Sequence, residues 1–108
     1  EFAQRHGDFA IVGVGTLMTL DAGNRIDRIA CVLIGIDYYP IRLTDIEAEL
    51  MGQIPSEDLF RAAGEKTRER DMMEDALVPE SYRKQLSSVL LRRSLTSAAQ
   101  RAAGEKYV

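Results

Sequence analysis

From Phe9 to Leu20 the chain alternates: Ala10, Val12, Val14, Met18 and Leu20 occupy even positions and share one face of an extended segment, interrupted only by Thr16. The odd positions carry Phe9, Ile11 and Leu17 together with Gly13 and Gly15, so two side chains are missing from the second face. This pattern predicts a long strand. Asp21–Arg25, DAGNR, is dense in turn formers and predicts a hairpin loop. Ile26–Ile36 then reads IDRIACVLIGI, in which Asp27 and Arg28 mark a solvated start and 29–34 is an unbroken apolar run, as expected of a strand buried on both faces. Gly35 is expected to mark a bulge or a close backbone approach. Ile41-Arg42-Leu43 predicts a third strand at the sheet edge, because Pro40 has no N–H for a ladder.

At Thr44 the period changes. Thr44 and Glu47 have the spacing of a capping box, hydroxyl on one backbone amide and carboxylate on the other, and predict a short helix that stops at Gly52. Ser56 is placed to cap a second helix, with Glu57 and Asp58 at its positive end and Leu59, Phe60, Ala62 and Ala63 on its buried side. Asp71–Ser81 reads as a connection pinned by Val78-Pro79. A last helix follows from Pro79 to Ala103, with Tyr82, Leu86, Val89 and Leu90 on one stripe and Leu91, Leu95, Ala98 and Ala102 on a neighbouring one. Strands first and helices afterwards predict an α+β fold: a three-stranded antiparallel sheet followed by a three-helix bundle packed on one side, one domain over 1–108.

Composition narrows the function. The chain has 108 residues, 45% hydrophobic and 29% charged, which suits a globular domain with one core. A net charge of -3 with interspersed signs gives no broad positive field for nucleic acid. No run reaches the ~18 apolar residues of a membrane span. Cys31, the single cysteine, can form no internal disulfide and points to a reducing, cytoplasmic setting. A start at Glu1 rather than Met predicts a piece of a longer chain.

Gly13-Val14-Gly15 invites comparison with a dinucleotide fingerprint. That motif requires a third glycine and a following helix whose N-terminus faces pyrophosphate, and here Met18 and then turn residues stand in those places. The glycines read instead as a face made thin for a close neighbour. One histidine, His6, and one cysteine cannot build a structural zinc site or hold an iron-sulfur cluster, so no metal site is expected. Cys31 reads as a buried apolar residue and His6 as a solvated one, and no catalytic constellation emerges. Arg5, His6, Gly7 and Asp8 form a compact polar turn suited either to turn-making or to the edge of a polar cofactor. Arg83-Lys84 and Arg92-Arg93 point about 180° apart around one helix and so do not make a single patch.

Three segments carry a resemblance: RHGDFAIVGVG at Arg5–Gly15, GIDYYPIRLTDIEAEL at Gly35–Leu50, and SYRKQLSSVLLRRSL at Ser81–Leu95. Their most specific elements are Gly7-Asp8-Phe9-Ala10, Pro40-x-Arg42 before an acidic helix ending Leu50-x-Gly52, and Tyr82-Arg83 with Leu90 and Arg93. In order and spacing they resemble the C-terminal domain of the FAD-binding medium subunit of molybdenum hydroxylases, the carbon monoxide dehydrogenase and xanthine dehydrogenase family. The resemblance implies a three-stranded sheet with a three-helix bundle and a part in electron transfer. Substrate is oxidised at molybdopterin-bound molybdenum in a large subunit, electrons cross 2Fe-2S clusters in a small one, and FAD in the medium subunit passes them on. It implies as partners the N-terminal FAD-binding domain of the same subunit and the large and small subunits. Arg5-His6-Gly7-Asp8 matches a family loop close to the flavin ring, while the segments holding FAD's pyrophosphate lie in preceding domains, so this chain is expected to cover the flavin side without being catalytic. The alternative is a free-standing α+β interaction module that uses its Gly13/Gly15 face.

Overall fold

The computed structural model describes the backbone of residues 2–5 and 9–11 and all of residues 12–74 and 78–104. Its elements in chain order are β1 (Phe2–Arg5), β2 (Phe9–Leu20), β3 (Ile26–Ile34), β4 (Ile41–Arg42), α1 (Thr44–Leu50), α2 (Glu57–Lys66), a short 3-10 turn (Thr67–Glu69) and α3 (Glu80–Ala102). The strands form one antiparallel sheet in sequence order. The expected α+β arrangement, an antiparallel sheet followed by three helices, is the one observed. β1 extends the sheet by a strand that four residues of mixed character, FAQR, do not announce. Pairing with β2 supplies its partners, with a bulge between Ala3 and Gln4.

The β2–β3 ladder sets which side chains face inward. Val14 pairs with Leu33, Thr16 with Cys31 and Met18 with Ile29. Period 2 along both strands then puts Val12, Val14, Met18, Ile29, Cys31 and Leu33 on one buried face. The hairpin register is fixed by Asp21, whose carboxylate accepts from the N–H groups of Gly23 and Arg25, both at 2.9 Å. That folds the turn and carries Asn24 into positive φ. On the inner face α3 packs along β2 and α1 along β3, and α2 lies against α3 and α1. Leu43, Ile46, Leu50, Phe60, Leu91 and Leu95 fill the space between sheet and helices.

Two local expectations change. The capping box does not form: α1 begins without a side-chain cap, because the Glu47 carboxylate is engaged elsewhere. On α3, Leu90, Leu91, Leu95 and Ala98 are buried as the periodicity requires, but Tyr82 is 40% exposed, and Arg83, Ser87, Ser88 and Ser94 share the buried side. Small serines let neighbours come close. The Ser94 hydroxyl donates to Thr16 Oγ1 at 2.8 Å, and Ser88 donates to Glu65 Oε2 at 2.9 Å. Against Ser88, α2 presents Gly64, where an added Cβ would stand 2.5 Å from the Ser88 carbonyl oxygen. Ser56, by contrast, caps α2 as expected, accepting from Leu59 N–H at 3.1 Å.

Candidate functional site

The described helices cover one face of the sheet; on the other, Gly15, Leu17, Thr19, Arg28 and Ile34 are exposed, Ala30 and Val32 half-buried and Gly13 buried. On that outer face the register aligns Gly13 with Ile34, Gly15 with Val32, Leu17 with Ala30 and Thr19 with Arg28. The run 29–34 was expected to be buried on both sides, and its sequence is apolar on both, yet among the described residues Ile29, Cys31 and Leu33 are buried, Ala30 and Val32 are half-buried and Ile34 is exposed. Leu17 is 76% exposed and Ile34 43%. A Cβ on Gly15 would meet nothing within 4 Å, so no described residue requires that glycine. A shallow hollow of about 330 Å³ runs along Leu17, Thr19, Arg28 and Ala30.

One end of the same sheet concentrates the remaining candidates. β2 runs from Phe9 through Gly13, which pairs with Ile34 at the end of β3, so the Arg5–Phe9 pair closing the β1–β2 ladder and the 35–40 loop after β3 leave the sheet at one edge. Arg5 ends β1, whereas His6, Gly7 and Asp8 of the expected cofactor loop lie outside the described residues. The 35–40 loop starts at Gly35, whose φ of 96° only glycine adopts without strain, and carries Tyr38 and Tyr39, 86% and 70% exposed. Two aromatic rings in water beside a bare apolar sheet were not singled out by periodicity, because a loop has none.

Behind this end lies a polar knot. β4 contributes two residues, too few to pair the whole length of β3, so Leu43 N–H donates to the Cys31 carbonyl at 2.9 Å and the Cys31 N–H turns to Glu47 Oε2 at 2.9 Å. Arg42 closes the arrangement with a two-point grip on the same carboxylate, Nε to Oε2 at 2.6 Å and Nη2 to Oε1 at 3.0 Å. Burial raises the Glu47 pKa, but the Arg42 guanidinium and the Cys31 N–H outweigh it and hold the carboxyl below its ordinary range. Burial, reinforced by the Glu47 charge, pushes the Cys31 thiol up to about 12. Burial thus favours the neutral thiol over the thiolate, the form that attacks.

Gly13 and Gly15 sit in mid-strand with no helix N-terminus after them, so no pyrophosphate cradle forms there. No three His, Cys, Asp or Glu side chains among the described residues are grouped to hold a metal ion. No described helix is long and apolar enough to cross a membrane. What the described residues offer is a partly exposed sheet face carrying Leu17 and Ile34. The basic pairs of α3 also separate: Arg83 is buried and donates to the Met73 carbonyl at 3.1 Å, while Arg92 and Arg93 face a groove beside α2.

Comparison with known proteins agrees with this geometry. The chain is 30% identical over 103 residues to the 6-hydroxypseudooxynicotine dehydrogenase complex subunit alpha of Paenarthrobacter nicotinovorans, and the alignment takes in 94% of this chain and 35% of that protein. It is 33% identical over 102 residues to the caffeine dehydrogenase subunit beta of Pseudomonas sp. (strain CBB1), taking in 94% and 34%. The chain therefore spans about a third of the length of these relatives. Among solved structures it superposes on quinoline 2-oxidoreductase from Pseudomonas putida 86 with a TM-score of 0.85 at 22% identity, over 94% of this chain and 36% of that one. A carbon monoxide dehydrogenase from Hydrogenophaga pseudoflava gives 0.84 at 23% identity with the same coverage. At these identities the superpositions establish the fold. Residues 1–98 fit the CO dehydrogenase flavoprotein C-terminal domain, and the chain belongs to that family.

Proposed function

We propose that this chain is the C-terminal domain of the FAD-binding medium subunit of a molybdenum hydroxylase-type oxidoreductase, acting in the cytoplasm, and that it covers the flavin side of that subunit and helps dock it. One observation carries the reading: an apolar sheet face, thinned at Gly15, on which the described residues leave Leu17 and Ile34 exposed. An apolar face of this kind is stable in water only at a cost that a neighbouring surface removes. The N-terminal FAD-binding domain of the same subunit is the neighbour we assign to it. FAD, bound mainly there, takes electrons that reach it from molybdopterin-bound molybdenum in a large subunit through 2Fe-2S clusters in a small one. This chain's residues exclude water from one side of the flavin pocket and shape its edge, with Arg5, His6, Gly7 and Asp8 as the loop nearest the ring, and none of them is catalytic. Charge, hydrogen bonding and access are the levers such a cover has on a flavin.

The test is flavin binding, measured by fluorescence quenching, for this chain alone and for the full-length protein that contains it. The full-length protein is expected to retain FAD through gel filtration, and this chain alone to release it. Tight FAD binding by this chain alone overturns the division of labour.

A further inference from the structure

We propose that the groove between α2 and α3, on the helix side of the molecule and away from the bare sheet face, docks an acidic segment of a partner polypeptide. The groove measures about 420 Å³ and is lined by Glu57, Arg61, Arg92, Arg93, Thr96 and Ser97. It thus sets three guanidiniums against one carboxylate in a chain whose net charge is -3. Arg61 leans on the exposed Asp58 at 3.0 Å. Arg92 and Arg93 have no side-chain hydrogen bond or ion pair among the described residues, in contrast to Arg42, Arg68 and Arg70, each of which is paired.

The stem of Arg92 is held in place. α2 passes close at Gly64, where an added Cβ would lie 3.6 Å from Arg92 Cβ, so this half-buried side chain starts from a packed position and loses less freedom on gripping a ligand. Arginine is the residue suited to such a grip, since its planar fork meets a carboxylate through two parallel hydrogen bonds. The groove is open along the two helices and encloses nothing, a shape that receives a length of polypeptide. The acidic balance of the rest of the chain opposes a nucleic-acid strand, whose charge would extend well past the arginines. Both relatives named above are subunits, so in them a second polypeptide belongs beside the chain. The proposal does not depend on the flavin reading.

The test uses the full-length protein and a fluorescently labelled hexaglutamate peptide, with anisotropy as the readout. Saturable binding that weakens as sodium chloride is raised is expected. Arg92→Glu/Arg93→Glu is expected to weaken it about tenfold or more, while Arg25→Glu, in the β2–β3 turn and outside both the groove and the outer sheet face, changes it by less than about twofold. Arg92→Gln/Arg93→Gln, which adds no repulsion, gives an intermediate loss and serves if the reversed pair lowers the melting temperature. Inorganic phosphate is expected to displace the peptide no better than sodium chloride of the same ionic strength. Absence of saturable binding, equal losses in the Arg25 variant, or displacement by phosphate at lower ionic strength than chloride overturns the proposal, the last outcome indicating a small-anion site instead.

Discussion

At the scale of single residues, two positions concentrate the constraints. Gly64 is one: alanine has the better helix propensity, by up to ~1 kcal/mol, and in an exposed helix the exchange would stabilise. Here the new Cβ would stand 2.5 Å from the backbone oxygen of Ser88, and backbone cannot swing aside, so α2 and α3 must part. Gly64→Ala is expected to destabilise the fold by about 1–3 kcal/mol, read as a lower urea midpoint with unchanged slope. An unchanged or raised midpoint would show that the two helices do not meet there. Glu47 is the other. Its carboxyl titrates below its ordinary value of 4.5 in the folded chain, so the unfolded chain binds the proton more readily. The stability it contributes is present above that ordinary value and is lost as pH falls through the lowered one. Asp45 acts in the same sense, since its burial is outweighed by Arg70. Glu47→Gln is therefore expected to cost about 1–3 kcal/mol at neutral pH, chiefly by weakening acceptance from the buried Cys31 N–H, and less as the pH is lowered below 4.5. Denaturation midpoints across pH 3–7 check it, and a difference independent of pH counts against the charged grip.

At the scale of elements, what was legible in the sequence was periodic. β2 could be read because Val12, Val14 and Met18 alternate, and α2 because Ser56 precedes an acidic first turn. β1 was not legible: its four residues owe their conformation to the open edge of β2, a partner that no local pattern records. The capping box at Thr44 was misleading because its glutamate has a better use, supplying the acceptor that a two-residue β4 cannot offer Cys31. The edge of the sheet is thus completed by a side chain, and this bears on how tightly β3 is held. Cys31 lies wholly buried on that strand, with its thiol pushed up to about 12. Modification by a disulfide reagent at neutral pH is expected only when β3 opens, so its rate should increase as stability decreases and be higher in Glu47→Gln than in the unsubstituted chain. A native-state rate near that of a free thiol would mean that the β3–β4 edge frays. The candidate site was legible only in part. The apolar run of β3 could be read, but which of its faces this chain leaves bare could not, since that depends on where the helices land. The Tyr38-Tyr39 pair and the meeting of Arg61 with Arg92 and Arg93 depend on tertiary placement in the same way.

At the scale of the whole molecule, a β3 run apolar on both sides, buried on one and partly exposed on the other among the described residues, is the feature that the proposed cover accounts for. The chain spans about a third of its relatives, 35% and 34% of their lengths, so the material for such a cover exists in those proteins. The distinction between a bare face and a docked one is measurable with a single change. Leu17 is 76% exposed here, and an exposed leucine replaced by aspartate should alter the stability of this chain alone by no more than about 0.5 kcal/mol. If the same leucine is buried against the FAD-binding part of a full-length subunit, Leu17→Asp removes its transfer free energy and buries a charge there, costing about 2 kcal/mol or more. Thermal melts of the short and full-length proteins, each with and without the substitution, separate the cases, and flavin release on heating gives a second readout. A small effect in this chain with a large one in the full-length protein, accompanied by earlier flavin release, is the result expected of a cover. Equal small effects in both would leave the outer face facing water in the whole protein and would remove the observation on which the proposed function rests.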